Sequence, residues 1–244
     1  LLFLLMIYID IKRGIKLFLS ILFNFIILMI IFYLIAIGLN PIICSLIGCF
    51  IISYIILYYV NERNVKTESS LKSVIIVLII LSFLIFFVTK ISRIAGFGYE
   101  SNEEIYIFSY DVIIDFTKIS ISMILISLIG ATVDSSIAIS SALYEVYDNN
   151  KNLSKKDLFL SGMNIGKDIL CTTNNTLMFA FLGEFMTLLI WFYKGDYSFL
   201  EIVNAKTFVS EMIKILLSAV GCIIVIPITA YITTETLKKD DKNK

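Results

Sequence analysis

The chain has 244 residues, 59% hydrophobic and only 16% charged, with a mean hydropathy of +0.92. A soluble domain carries roughly a quarter charged residues, and this composition in water would expose large apolar patches. The 20 basic and 20 acidic residues cancel, which leaves no net charge to draw a nucleic acid; histidine is absent, which excludes histidine-based triads, zinc sites and haem ligation.

Residues 1–9 are apolar but too short to cross a bilayer, for which roughly 20 residues are needed. They read as the tail of a helix, and the basic knot of Asp10, Lys12, Arg13 and Lys16 closes a partial N-terminal segment, 1–16. Six long apolar runs follow, at about 17–39, 42–60, 73–95, 119–143, 169–193 and 209–231. Each is near the length that spans a hydrocarbon core of about 30 Å at about 1.5 Å per residue. They are too long for barrel strands and lack in-out alternation, so helices are what satisfies the backbone in lipid. The fold class is therefore all-α integral membrane: a single six-span helical bundle over 17–234, then a basic tail, 235–244.

The first two runs are separated only by Asn40 and Pro41, a helix stop and turn signal, which predicts an antiparallel hairpin. Alternating the six spans then gathers the basic clusters on one side: Lys12, Arg13 and Lys16; Arg63, Lys66 and Lys72; Lys151, Lys155 and Lys156; Lys238, Lys239, Lys242 and Lys244. The positive-inside rule makes that side, and the C-terminus, cytoplasmic in a cell membrane. The other side holds residues 96–118, with Glu100, Glu103, Glu104, Asp111 and Asp115 among Tyr106, Phe108 and Tyr110. That segment reads as a solvated loop, or short surface helix, with interfacial aromatic anchors.

Cys44, Cys49, Cys171 and Cys222 lie in apolar stretches without paired spacing. They read as buried small hydrophobes, with no disulfide framework, metal site or cofactor implied.

Polar residues are unevenly spread. The first three spans hold few (Ser20, Asn24, Ser45, Ser53, Ser82) and read as lipid-facing or scaffold helices. In the fourth, Gly130, Asp134, Ala138, Ser141 and Glu145 fall on one stripe of the helical wheel. An aspartate near the centre of a span costs roughly 2.5–3.5 kcal/mol and marks a functional site by default. In the fifth, Ser161, Asn164, Asp168, Cys171, Thr172 and Asn175 share a face, with Asn174 beside it; above Asn175 the face turns apolar with Phe179 and Leu182. These amides and carboxylates are expected to meet on two adjoining helices, shielded from lipid. Asp134, Asp168, Asn164, Asn174, Asn175, Thr172, Ser141 and Glu145 are the candidate proton or ion path. Gly130, Gly183, Gly221 and Pro227 are the candidates for close helix packing or a kink, and Glu211 with Lys214 for an i,i+3 pair.

The runs GATVDSSIAISSALYEV, LSKKDLFLSGMNIGKDILCTTNNTLMFAFLGE and EMIKILLSAVGCIIVIPITAYI resemble the YibE/F-like membrane proteins from about residue 115 to 233. The first half resembles them in its pattern of spans. Lys167 stands where that family usually has arginine, and Cys171 where it has a small residue. The resemblance implies a multi-span, permease-like membrane protein. A more distant likeness is to one six-helix half of resistance-nodulation-division, SecF-type or MMPL-type cores; it would make Asp134 the proton-carrying acid and imply a homodimer or a partner membrane protein. No outer domain fits between the first two spans, unlike in those cores.

Three functions follow as expectations. The first is a permease for an unknown small solute or ion, coupled to protons or cations through Asp134. The second is a non-catalytic subunit auxiliary to protein export or envelope assembly. The third, an intramembrane aspartyl enzyme using Asp134 and Asp168, is disfavoured because Val133 replaces the signature glycine and the acids are expected at different depths. The chain is thus expected not to be an enzyme.

Overall fold

A computed structural model describes residues 8, 11–92 and 115–240. Residues 1–7, 9–10, 93–114 and 241–244, which take in most of the N-terminal apolar segment and of the acidic outer segment, lie outside the described residues. The described chain forms α1 (Ile11–Ala36), α2 (Pro41–Tyr54) with a π-helical extension (Ile55–Val60), α3 (Val65–Ile91), α4 (Phe116–Asn149), α5 (Lys155–Lys194), the short α6 (Phe199–Asn204) and α7 (Lys206–Asp240). Six of these helices are long and apolar enough to cross a membrane, as expected from the runs.

The α1–α2 hairpin forms for the reasons its sequence suggests. Gly38 takes φ 92°, a left-handed conformation that a side chain resists. The Asn40 side chain then accepts from the Ile42 N–H at 3.1 Å, with Pro41 at the first helical position. Gly48 lets the two helices close up, since a Cβ there would lie 2.0 Å from Ile31 Cδ1. An apolar groove runs between them, lined by Ile27, Leu34, Ile43 and Ile47.

Helix α4 is the hub, packed by α2, α3, α5 and α7. Leu81, Leu125, Leu128, Ile139, Leu143 and Val225 are fully buried at its contacts. The contacts also fix the vertical register. A Cβ on Gly221 would lie 3.1 Å from Leu81 and 3.7 Å from Leu128, and the Thr229 hydroxyl donates to Ser136 Oγ at 3.2 Å. The offset between α4 and α7 is the same at both points, so the two run parallel and in step. Ser70 meets Ser140, and Lys66 pairs with Glu145, so α3 runs antiparallel to α4, with Val65–Ile91 beside roughly residues 119–145. That length is about 40 Å at 1.5 Å per residue, enough to cross the core and reach the headgroups.

Ion pairs sit at both ends of this layer. One end has Lys66–Glu145 at 3.8 Å, Lys155–Glu235 at 2.6 Å and Lys16–Glu62 at 2.8 Å. The other has Lys118–Asp115 at 3.1 Å and the expected Glu211–Lys214 pair. Pro227 lies inside α7 on its exposed side, and the helix continues through it.

Candidate functional site

Helix α5 is seated by glycine. Ser154 caps it, accepting from the Asp157 N–H at 3.1 Å, after a five-residue link from α4. A Cβ on Gly162 would lie 2.8 Å from Leu143 Cδ1 and 2.9 Å from Ala230 Cβ; one on Gly166 would lie 2.2 Å from Ile226 Cγ2. These two glycines press α5 into the seam between α4 and α7. Their role was not foreseen; the spacing of Gly162 and Gly166, one helical turn apart, was the available signal. The expected packing glycines divide. Gly221 does pack, but Gly130 and Gly183 have nothing within 4 Å of a Cβ position, so neither serves contacts inside this chain.

The Gly162–Leu143 contact gives one measure of the α4–α5 register. Gly162 also meets Ala230, which the α4–α7 offset sets level with Ile137, so the two contacts bracket the register: Asp134 lies level with residues 165–171 of α5, centred on Asp168. Asp168 is then within about 5 Å of Asp134 in depth, so the expectation of acids at different depths is corrected. Helix α5 begins at Lys155, ahead of the apolar run at about 169–193, and its packing glycines, Gly162 and Gly166, precede that run.

The direction of the two polar stripes is the principal finding. Helix α4 packs over several sides; the stripe it leaves open within the bundle is Met123, Ser127, Gly130, Asp134, Ala138 and Glu145, with Ser141 half-buried. On α5, Asn164, Asp168, Cys171, Thr172 and Asn175 are all exposed, and lie about 160° around the helix from the glycine contacts. Asp134, Asn164, Asp168 and Asn175 have no side-chain hydrogen bond or ion pair among the described residues. Asn174 is half-buried with Oδ1 enclosed and unpartnered. Thr172 is satisfied by its own helix, donating to the Ile169 carbonyl at 2.9 Å. The stripes thus lie at matched depth, but one chain alone does not enclose them, which corrects the expectation of shielding. Cys171 likewise is exposed, whereas Cys44, Cys49 and Cys222 are buried.

A comparison of α1 and α5 shows why this matters. In each, only 11% of the most apolar stretch is buried, so both are peripheral. The open face of α1 is Ile21, Phe25, Phe32 and their like, suited to acyl chains. The open face of α5 is likewise apolar in that outer stretch, with Met178, Phe179, Met186 and Ile190, whereas between Asn164 and Asn175 it carries amides, a hydroxyl and a carboxylate, which lipid cannot satisfy.

A second polar feature was missed in the sequence. Ser70 and Ser140 share a hydrogen bond at 2.6 Å, Ser136 donates to the Ser70 carbonyl at 3.2 Å, and Ser140 donates to the Lys66 carbonyl at 3.1 Å. With Thr229, these hydroxyls form a buried layer joining α3, α4 and α7. Thr67, Ser69 and Ser70 lie ahead of the third apolar run, which begins at residue 73; their density was the overlooked signal. No group of three or more acidic or cysteine side chains placed to hold a metal ion occurs among the described residues.

Fold and stripes together define a polytopic, all-helical membrane protein with a polar face inside its spans. Residues 1–239 match the YibE/F-like protein family, and the chain belongs to it. The match covers the apolar first half as well, beyond the stretch from which the resemblance was first drawn. No curated protein and no solved structure matches the chain, so the likeness to a resistance-nodulation-division half has no match behind it.

Proposed function

We propose that the chain is a permease subunit carrying half of a polar transport path, with Asp134 as the group that exchanges a proton or small cation. One observation carries this reading: Asp134 and Asp168 lie within about a helical turn of each other in depth, both exposed and neither with a side-chain partner among the described residues. By the positive-inside rule the lysine-rich end faces the cytoplasm of a cell membrane, with the C-terminus on that side. The polar face of α5 then begins at the cytoplasmic edge with Asn164 and stops near mid-membrane with Asn175, giving a cytoplasm-facing half-path that ends at Phe179. Ser141 and Glu145 continue it on α4. The reading is of a carrier and not an enzyme.

The test is proton or cation flux in proteoliposomes. Asp134→Asn should abolish flux while membrane insertion and helix content are kept; undiminished flux in that variant removes Asp134 from the mechanism.

The alternative, a subunit auxiliary to export or envelope assembly, is favoured by a different observation: the stripes lie on the chain's outer face and not between its own helices. A stoichiometric unlike membrane protein retained in mild detergent, with no flux, would decide for it.

A further inference from the structure

We propose that the α4–α5 polar face is covered by a second copy of this chain, related by a two-fold axis along the membrane normal, with Lys167 of each copy set against Asp134 of the other. The inference rests on the reading above only in placing these residues within the bilayer; it does not require transport.

The first argument is solvation. Asp134, Asn164, Asp168 and Asn175 are open on the single chain and have no partners among its described residues. In a bilayer such groups must face protein or water, and a charge at the centre of a span is otherwise strongly disfavoured. The apolar face of α1 makes no such demand.

The second argument is charge. The face carries two acids, Asp134 and Asp168, and one lysine, Lys167, which is exposed and lies on the same side of α5 as Cys171, one turn away. Lys167 forms no ion pair among the described residues, and its neighbour in sequence, Asp168, points about 100° away around the helix. The register puts Lys167 level with residues 132–138 of α4, within about 6 Å of the level of Asp134, a rise that a lysine side chain spans. Two copies inserted the same way round keep every residue at its own depth. A two-fold pairing therefore offers Lys167 to Asp134 twice, and the face is self-complementary as an isologous interface requires. Gly130 and Ala138 flank Asp134 without side-chain bulk, and among the described residues nothing lies within 4 Å of a Cβ position on Gly130.

The same geometry supplies the probe. Cys171 lies within about 9 Å of the level of Asp134 and is the exposed member of the four cysteines. In a two-fold dimer each Cys171 lies at the depth of its counterpart. Membranes holding the full chain would be treated with copper phenanthroline and, separately, with a flexible bismaleimide, then run on a denaturing gel. A dimer band is expected that disappears in Cys171→Ser and persists when Cys44, Cys49 and Cys222 are all replaced by serine. With Cys171 kept, Lys167→Glu should weaken the band several-fold, and Lys167→Glu combined with Asp134→Lys should restore it. Absence of a dimer from Cys171, and also from Asn164→Cys and Asn175→Cys in the Cys171→Ser background, overturns the proposal. A cross-link only to an unlike protein overturns it too, as does failure of the charge exchange to rescue. The outcome is separable from the flux test: a dimer without flux leaves this inference standing and removes the permease, and flux without a dimer does the reverse.

Discussion

Ser70 Oγ and Ser140 Oγ lie 2.6 Å apart, both fully buried, and tie the start of α3 to the middle of the hub helix. Hydroxyls buried between helices are directional where apolar packing is not, so this pair fixes the vertical register of α3 against α4. Interhelical hydrogen bonds in membranes average about 0.6 kcal/mol and reach about 1.7 kcal/mol. Ser70→Ala or Ser140→Ala should each destabilise the fold by roughly 0.5–1.5 kcal/mol on that scale. Unfolding in mixed detergent and dodecyl sulfate would measure it. The double variant should lose less than the sum, because the two residues share one bond. Strict additivity would show that each hydroxyl bonds its own helix and not its neighbour.

Gly166 carries a second prediction. A Cβ there would meet Ile226 Cγ2 at 2.2 Å, and Cβ of the same residue at 3.2 Å, so even alanine forces α5 outward from α7. Overpacking of this kind costs about 1–3 kcal/mol. Ile226→Ala removes the clashing methyl, so Gly166→Ala should be partly rescued in that background. Gly130→Ala and Gly183→Ala should leave monomer stability within about 0.5 kcal/mol, since a Cβ at either position meets nothing within 4 Å among the described residues. Thermal melting of the four variants in one detergent tests the contrast between Gly166 and the two uncrowded glycines.

The third prediction concerns pH outside the membrane. At the start of α6, Glu201 accepts from the Ser198 N–H at 2.7 Å and from the Ser198 hydroxyl at 2.8 Å. The backbone hydrogen bond first, and the hydroxyl second, hold its carboxyl below the usual carboxylate range. A carboxylate whose pKa is lower in the folded state stabilises the cap above its unfolded value, and that support is lost as pH falls through the folded value. The α6 cap should therefore survive mild acid and open only below the ordinary range. Carbon-13 titration of the Glu201 carboxyl should give a midpoint below about 4.3, returning upward in Ser198→Ala. An unchanged midpoint in that variant would dissociate the shift from the cap.

What the sequence made legible followed from length and turn chemistry. Six apolar runs gave six helices, and Asn40 and Pro41 gave the hairpin, because bilayer thickness and a proline stop act locally. Helix starts near charges were less legible. Lys66, Glu68 and Lys72 lower the hydropathy, so the third apolar run begins eight residues after α3 does, although Asn64 and Thr67 form a reciprocal capping box that marks the helix start. The polar stripes were visible on a helical wheel, but a wheel gives relative and not absolute direction. Whether Asp134 looks inward or outward depends on where α2, α3, α5 and α7 dock around α4, and those contacts are set by side chains far apart in the chain. The same limit explains the glycines: smallness is local, whereas the neighbour that exploits it at Gly162 or Gly166 is not.

The last prediction addresses the half-path. If the polar face of α5 is wet from the lysine-rich end to about Asn175, a cysteine on it should react with a membrane-impermeant thiol reagent offered from that side. In a background lacking native cysteines, Asn164→Cys, Asp168→Cys and Asn175→Cys should be modified in inverted vesicles, with rates falling in that order as depth increases. Phe179→Cys should resist, although Phe179 is 73% exposed on the isolated chain, because its surroundings are apolar and exclude water. Exposure on the chain alone would make all four similar, so the ordering separates a hydrated path from bare surface. Equal reactivity at Asn164→Cys and Phe179→Cys, or reaction only from the opposite side, would remove the half-path and reverse the assigned orientation, respectively.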